Sequence, residues 1–300
     1  MSKAILITGA TGNQGGALIN TLTSTPNNLQ IIAVTRNPES ASAQKIASKS
    51  SNIKVIKGDL NDVPAIFAAA KEVNSNIWGV YSVQLAQGVA HDVEIAQGNA
   101  MIDEALKHGV KQFVYSSVDR GGDKSYDEPT DVPHFMTKYD IEHHLVDATK
   151  GTDMRYTILR PVAFMDNLAT GFMAKLFISA LRTKLPENKP LQYVDVRDIG
   201  HFAAQAFLHP ETFQDRSLSL AGDELTSAQL DALYQENLGY PTPRTFSVLG
   251  YALRFAIKDF GNMINFFAVA GYGADIAALK KEYPGLHSMN DWIKDNKAKL

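Results

Sequence analysis

Apolar positions along residues 1–160 follow two alternating patterns. Short runs rich in β-branched and aromatic residues recur, and longer segments with helical spacing, such as Val63–Glu72 and Ala90–His108, lie between them. The runs are Ala4–Ile7, Gln30–Thr35, Ile53–Ile56, Ile77–Ser82, Gln112–Ser116 and Tyr156–Leu159. Alternation of strand and helix is typical of a parallel sheet that helices cover on both faces. The pattern therefore predicts an α/β fold with a doubly wound parallel sheet.

A glycine-rich loop joins the first predicted strand to the first predicted helix. Gly9 permits a sharp turn, Gly12 lets a pyrophosphate approach the backbone, and Gly15 lets the helix pack closely on the sheet. The N-terminus of the helix supplies free N–H donors and a partial positive charge for the anion. In this context the G-x-x-G-x-x-G spacing predicts a dinucleotide site on a Rossmann-type fold, formed by Gly9, Thr11, Gly12, Asn13, Gln14 and Gly15.

The end of the second predicted strand indicates which dinucleotide binds. NAD sites usually carry a carboxylate there, whereas an arginine near this point accommodates the 2′-phosphate of NADP. Here the strand ends in Thr35-Arg36-Asn37, so Arg36 predicts NADP(H), unless it is a solvated surface arginine. Asp59, after the third strand, either contacts the adenine edge of the dinucleotide or is only a turn residue.

Beyond residue 160 the alternation loosens. We expect a helix near Asn167–Arg182, and a strand, Leu191–Val194, and a helix, Val196–Leu208, that return to the main sheet. Ser217–Ala221 is predicted as another strand, and the chain is mostly helical from Ser227. Residues 1–160 thus form the predicted dinucleotide-binding core, completed by about 191–210. Residues 161–190 and 211–300 form a smaller, mainly helical C-terminal lobe for a substrate or a partner.

Charge and composition exclude several classes of protein. The net charge is −3 and no basic run occurs, so we expect no direct contact with nucleic acid and no membrane surface as partner. The absence of cysteine excludes disulfides and thiol nucleophiles. The first apolar run is too short for a signal peptide, and no stretch is long enough to span a membrane, which predicts a cytoplasmic protein.

These motifs together resemble the NmrA-like family of atypical short-chain dehydrogenases/reductases, over nearly the whole chain. The segments that carry the resemblance are Gly9–Gly16, Val34–Pro38, Gly58–Leu60, Tyr115–Val118, His134–Lys138, Leu159–Asn167, Val196–Gly200 and Tyr283–Trp292. The resemblance implies a seven-stranded core, a smaller helical lobe with the dinucleotide in the cleft between them, and a preference for NADP(H). It also implies one of two roles, since the family includes NADP-sensing regulators and reductases of quinones or other small carbonyl compounds.

The usual catalytic residues of short-chain dehydrogenases are missing. None of the 11 tyrosines is followed by lysine at the fourth position, so the Tyr-x-x-x-Lys acid is absent. The resemblance implies that Lys138 lies near the nicotinamide ribose, where it could hold the cofactor, act as an acid, or do both. The alternative is an exposed helical lysine. His134 is a weaker catalytic candidate and could be a packing or capping residue.

Ser116 and Ser117 end the fifth strand, at the edge where ligands bind in such sheets. Because successive strand residues face opposite ways, we expect only one of them to face the cofactor, and Ser116 is our candidate. The histidines show no metal-binding motif, and no G-x-S-x-G motif indicates a hydrolase. We therefore expect no metal.

Two clusters rich in phenylalanine and methionine follow Pro161. Phe164, Met165, Phe172, Met173 and Phe177 form the first, and Phe255, Phe260, Phe266 and Phe267 the second. They either pack in a core or line a site for a flat apolar ligand. Three functions stay open at this point. The chain is an NADPH-dependent reductase of a small apolar or aromatic acceptor, an NADP(H) redox sensor that regulates a protein partner, or a cofactor-binding relic.

Overall fold

The computed structural model describes residues 2–84, 90–169 and 171–300. Its strands are β1 Ala4–Ile7, β2 Gln30–Thr35, β3 Ile53–Lys57, β4 Ile77–Ser82, β5 Gln112–Ser116, β6 Arg155–Pro161, β7 Ala163–Phe164, β8 Leu191–Val194, β9 Arg216–Leu220 and β10 Asp223–Leu225. Its helices are α1 Asn13–Ser24, α2 Ala41–Ala47, α3 Val63–Val73, α4 His91–Lys107, α5 Pro133–Thr149, α6 Phe172–Arg182, α7 Val196–Leu208, α8 Pro210–Phe213, α9 Ser227–Leu238, α10 Ser247–Ala256, α11 Lys258–Val269, α12 Ile276–Glu282 and α13 Met289–Asn296.

A seven-stranded sheet in the order β3-β2-β1-β4-β5-β6-β9 forms the centre of the fold. The pairs from β3 to β6 are parallel, and Leu6 of β1 lies between Ile32 of β2 and Val80 of β4. Every residue of β1 is buried, as expected for a strand covered on both faces. The predicted doubly wound Rossmann-type sheet is confirmed.

The chain forms two compact units. The first contains Met1–Ser117, Thr137–Arg160 and Ile199–Leu218. Its apolar core packs strand residues against α3, α4 and α5, including Phe67, Met101 and Ile141. Gly200 of α7 fits against α1, because a Cβ at this position would lie 2.5 Å from the carbonyl carbon of Ala17.

The second unit contains Val118–Met136, Pro161–Asp198 and Ser219–Leu300. It is mainly helical and has its own core, which includes Tyr234, Phe267 and Trp292. A small sheet in the order β10-β8-β7 lies in it. The expectation that Leu191–Val194 returns to the main sheet was therefore wrong. A short run with every residue buried looks the same in either sheet, and β9 supplies the seventh strand of the large one.

Candidate functional site

The loop between β1 and α1 has the backbone geometry that its glycines predict. Gly9 adopts φ 57°, in the left-handed region that favours glycine. The N–H of Gly12 donates to the carbonyl of Gly9 at 2.9 Å, which closes the turn. The N–H of Gly16 then donates to the carbonyl of Gly12, also at 2.9 Å. The first helical hydrogen bond thus begins at Gly12, and the preceding N–H groups have no partner within the helix.

The residues of this loop are suited to a phosphate group. A Cβ on Gly15 would lie 2.4 Å from the carbonyl oxygen of Gly9, and one on Gly12 would lie 3.2 Å from it. Thr11, Gly12 and Asn13 are exposed, and the first turn of α1 carries no acidic side chain. Bare backbone at a helix N-terminus without a competing carboxylate binds anions. The residues present therefore fit the pyrophosphate of a dinucleotide.

Gln14 connects the phosphate loop to the carboxyl ends of β4 and β5. Its Oε1 accepts hydrogen bonds from the Tyr81 hydroxyl at 3.2 Å and from the Ser116 hydroxyl at 2.5 Å. Tyr81 is fully buried, and burial raises the pKa of its phenol well above the ordinary value, so the phenol stays protonated. The loop and two hydroxyl groups are thereby held together at one edge of the sheet.

Arg36 and Asp59 follow β2 and β3, and both are exposed. Within the described residues the guanidinium of Arg36 makes no hydrogen bond or ion pair, so it is available to an anion. Asp59 is a turn residue, since its Oδ1 accepts from the N–H of Asn61 at 2.9 Å and its carbonyl accepts from the N–H of Asp62 at 2.9 Å. A contact of Asp59 with adenine stays a prediction.

Lys138 is buried, which excludes the alternative of an exposed helical lysine. Its side chain is 8% exposed and its Nζ pairs with Oε1 of Glu94, which is 1% exposed. The other oxygen of Glu94 accepts from the hydroxyl of Thr137 at 2.8 Å. A buried ammonium group is costly without a compensating charge. Glu94 on α4 therefore fixes the position of the Lys138 side chain on α5.

A second buried ion pair lies one helical turn further along α5. The Arg160 guanidinium donates to both carboxylate oxygens of Glu142, with 2.8 Å between Nη2 and Oε2. Ser117 donates its hydroxyl to the same carboxylate. Ser116 and Ser117 thus point opposite ways, as expected for successive strand residues. Ser116 faces Gln14, and Ser117 joins β5 to α5.

The imidazole of His134 forms a hydrogen bond with the carboxylate of Asp259. Its Nδ1 lies 2.6 Å from Oδ1 of Asp259. The backbone N–H of His134 donates to the same oxygen at 3.4 Å. This pair joins the start of α5 to α11, which is the packing role that sequence reasoning kept open for His134. A catalytic role for His134 stays a weak prediction.

The structure brings together only some of the predicted site residues. Gln14 and Ser116 are in contact, whereas Lys138 and His134 each have their own acidic partner. Tyr139, the tyrosine nearest to the usual position of the acid, packs against His143 with ring centroids 4.1 Å apart and the rings tilted by 35°.

Sequence reasoning did not identify Tyr81, Glu94 or Glu142. Glu94 looks like an ordinary first-turn acid of a helix, and no local signal marks it as buried. A signal for Glu142 existed, because it follows Lys138 by four residues and so shares its helix face. Gln84, after β4, was also missed. It is 5% exposed, and its Oε1 has no hydrogen-bond partner among the described residues.

The two aromatic and methionine clusters divide between core and surface. Met165, Phe266 and Phe267 are buried, whereas Phe172, Met173 and Phe255 are at least 60% exposed. In the described ranges no three His, Asp or Glu side chains come together as metal ligands. No helix in them has the length and apolar character needed to cross a membrane.

Comparison with known proteins agrees with this architecture. The sequence model of the NmrA-like family matches residues 1–279. An NmrA-like family domain-containing protein of Dictyostelium discoideum is 27% identical over 240 residues, which cover 77% of this chain and 76% of that protein.

Two solved structures illustrate the range of similar folds. The NADPH-dependent quinone oxidoreductase of Escherichia coli, solved with NADPH, has a TM-score of 0.73 at 23% identity, covering 97% of this chain and 99% of that one. NmrA, a negative transcriptional regulator solved with NADP, has a TM-score of 0.72 at 16% identity, covering 98% and 95%. At such identities the likeness establishes a shared fold.

Proposed function

The chain belongs to the NmrA-like family, and from this premise we propose that it is an NADPH-dependent reductase of a small apolar acceptor, such as a quinone or a carbonyl compound. The observation that carries the proposal is the phosphate loop, whose bare backbone is joined through Gln14 to the hydroxyls of Tyr81 and Ser116. Bound NADPH would supply the hydride, and the protein must orient it and exclude water.

Each part of the site has a distinct task in this proposal. The N–H groups at the start of α1 would bind the pyrophosphate, and Arg36 would pair with the 2′-phosphate. Lys138, held by Glu94, would donate hydrogen bonds to the nicotinamide ribose or a proton to the acceptor. The Tyr81 phenol, kept protonated by burial, would hold Gln14 and the loop in place.

The direct test is oxidation of NADPH by the purified protein with a panel of quinones, enones, imines and aldehydes. We expect saturable turnover with at least one apolar acceptor, and slower turnover when NADH replaces NADPH. Tight binding of NADPH without turnover on any acceptor would contradict the reductase and support a sensor.

Arg36→Ala should weaken NADPH binding by roughly 10- to 150-fold and leave NADH almost unchanged, because a hydrogen bond to a charged group contributes about 1.5–3 kcal/mol. Titration calorimetry with both cofactors measures the effect. Arg36 is exposed, so the fold should not respond. Equal losses for NADPH and NADH would remove the assignment of Arg36 to the 2′-phosphate.

A redox sensor is the second candidate function. It is favoured by the missing Tyr-x-x-x-Lys acid and by the likeness to a transcriptional regulator solved with NADP. A sensor must bind NADPH and NADP⁺ with different affinities in two conformations, because a ligand shifts an equilibrium only by its differential affinity. Such a difference in the absence of turnover would favour the sensor, and equal affinities would exclude it.

A further inference from the structure

The side-chain amide of Gln14 is oriented by two hydroxyl groups. Its Oε1 accepts from the Ser116 hydroxyl at 2.5 Å and from the Tyr81 hydroxyl at 3.2 Å. A separation of 2.5 Å lies within the range of O–H···O bonds and below that of N–H···O bonds, so the atom that meets Ser116 is the amide oxygen and not the nitrogen. The hydroxyls near the carboxyl ends of β4 and β5 therefore fix which way the amide faces.

The amide nitrogen of Gln14 is left as a donor of two hydrogen bonds. Within the residues that the structure describes, the side chain of Gln14 makes only the two bonds to its oxygen. A carboxamide carries its oxygen and its NH2 group on opposite sides, so the NH2 group faces away from the two hydroxyls. Gln14 is only half-buried, and its NH2 group is therefore accessible to a ligand.

This donor belongs to the first turn of α1, where the free backbone N–H groups are. Gln14 is the second residue of the helix. Because the Cα–Cβ bonds of a helix tilt toward its N-terminus, the side chain leaves the helix in the direction of those N–H groups. The first turn carries no acidic side chain that would compete for these donors. Backbone and side-chain donors therefore serve one anion site.

We propose that Gln14 donates its side-chain NH2 group to the pyrophosphate of the dinucleotide, and that Tyr81 is a positioning residue that acts through Gln14. The inference rests on the cofactor binding of the proposed function and is independent of turnover. NADPH and NADH share the pyrophosphate and differ only in the 2′-phosphate. Gln14 and Tyr81 therefore contribute equally to the binding of both cofactors, whereas Arg36 contributes to NADPH alone.

Gln14→Glu tests the direction of the NH2 group, since the two side chains have the same shape. The carboxylate keeps an oxygen that accepts from Tyr81 and Ser116, but a second, negatively charged oxygen replaces the NH2 group. We expect the affinities for NADPH and NADH, measured by titration calorimetry, each to fall by about 100-fold or more, because like charges repel strongly at this distance. Unchanged affinities, or a loss confined to one cofactor, would overturn the proposal.

Tyr81→Phe should weaken the binding of both cofactors by about 3- to 10-fold, because it removes one of the hydrogen bonds that orient the amide. Tyr234→Phe is the matched control. Tyr234 is also fully buried, but its hydroxyl donates to the carbonyl of Leu168 at 3.3 Å. We expect Tyr234→Phe to leave both affinities unchanged. Equal losses in the two variants would show that Tyr81 supports the fold in general and does not act through Gln14.

A double-variant cycle shows whether Tyr81 acts through Gln14. Gln14→Leu removes the donor and should weaken both cofactors by about 10-fold or more. In that background Tyr81→Phe should cause no further loss, and additive losses would overturn the positioning role. Ser116→Ala provides a second arm with the same expected result if Tyr81→Phe does not fold, which circular dichroism without cofactor reveals.

The same titrations separate this inference from the proposed function. Wild-type protein that bound neither NADPH nor NADH would refute both. Wild-type binding that Gln14→Glu left unchanged would refute the role of Gln14 and leave the proposed reductase intact. Wild-type binding that Gln14→Glu abolished for both cofactors, without turnover on any acceptor, would refute the reductase and support the role of Gln14.

Discussion

We expect Arg160→Met to lower the free energy of unfolding by about 3–5 kcal/mol, because it leaves the Glu142 carboxylate buried without its counter-charge. Glu142 is fully buried and the Arg160 side chain is 4% exposed, so water cannot replace the lost partner. Denaturant unfolding, followed by circular dichroism, measures the loss. The double variant Arg160→Met/Glu142→Met should recover most of it, since an apolar pair removes the buried charge altogether.

Strand β6 offers a matched control for this substitution. Arg155, at the other end of the same strand, pairs with Asp215 at 3.3 Å, but the two side chains are 52% and 41% exposed. Arg155→Met should therefore cost no more than about 1 kcal/mol, as surface ion pairs do. If Arg160→Met and Arg155→Met proved equally mild, burial would not be what makes the Arg160–Glu142 pair important.

The second large effect concerns turnover. Lys138→Met should lower kcat by about 100- to 10,000-fold if Lys138 supplies a proton in the proposed reduction. The measurement is steady-state oxidation of NADPH with the best acceptor of the panel. Lys107→Met is a matched control, because Lys107 pairs with Glu104 at 2.9 Å but is 66% exposed, and we expect it to leave kcat unchanged.

Lys138→Met also leaves Glu94 without its partner, so a loss of folding must be separated from a loss of chemistry. The double variant Lys138→Met/Glu94→Gln carries no buried charge at this position and should regain stability. We expect it to stay inactive. Recovery of turnover together with stability would show that Lys138 only supports the fold and has no part in the reaction.

The strands of the large sheet were predictable because each strand is specified by the side chains of one short run of adjacent residues. A run such as Ile77–Ser82 is without charge and mostly apolar, and the structure gives β4 the same bounds. The sheet to which a strand belongs depends instead on its pairing partners, which are distant in the chain. Leu191–Val194 was correctly predicted as a strand but assigned to the wrong sheet, because burial on both faces does not identify the neighbours.

The candidate site shows the same limit. The phosphate loop was predictable because its glycines are adjacent in the chain and each has a steric purpose. Lys138 could be selected from its motif, but Glu94 could not, since the two meet only when α4 packs beside α5. Exposure was not predictable either. Phe255 and Phe267 belong to one apolar cluster in the sequence, yet they are 82% and 1% exposed.

The position of β9 has a consequence for synthesis on the ribosome. The strand that pairs with the outer edge of β6 is β9, Arg216–Leu220, which is translated long after β6 itself. Until it emerges, the nascent chain carries an incomplete sheet whose β6 edge has unpaired N–H and C=O groups, and such an edge can pair with another chain. The large sheet can therefore be completed only late in translation. Truncated products that end before residue 216 should be prone to aggregation.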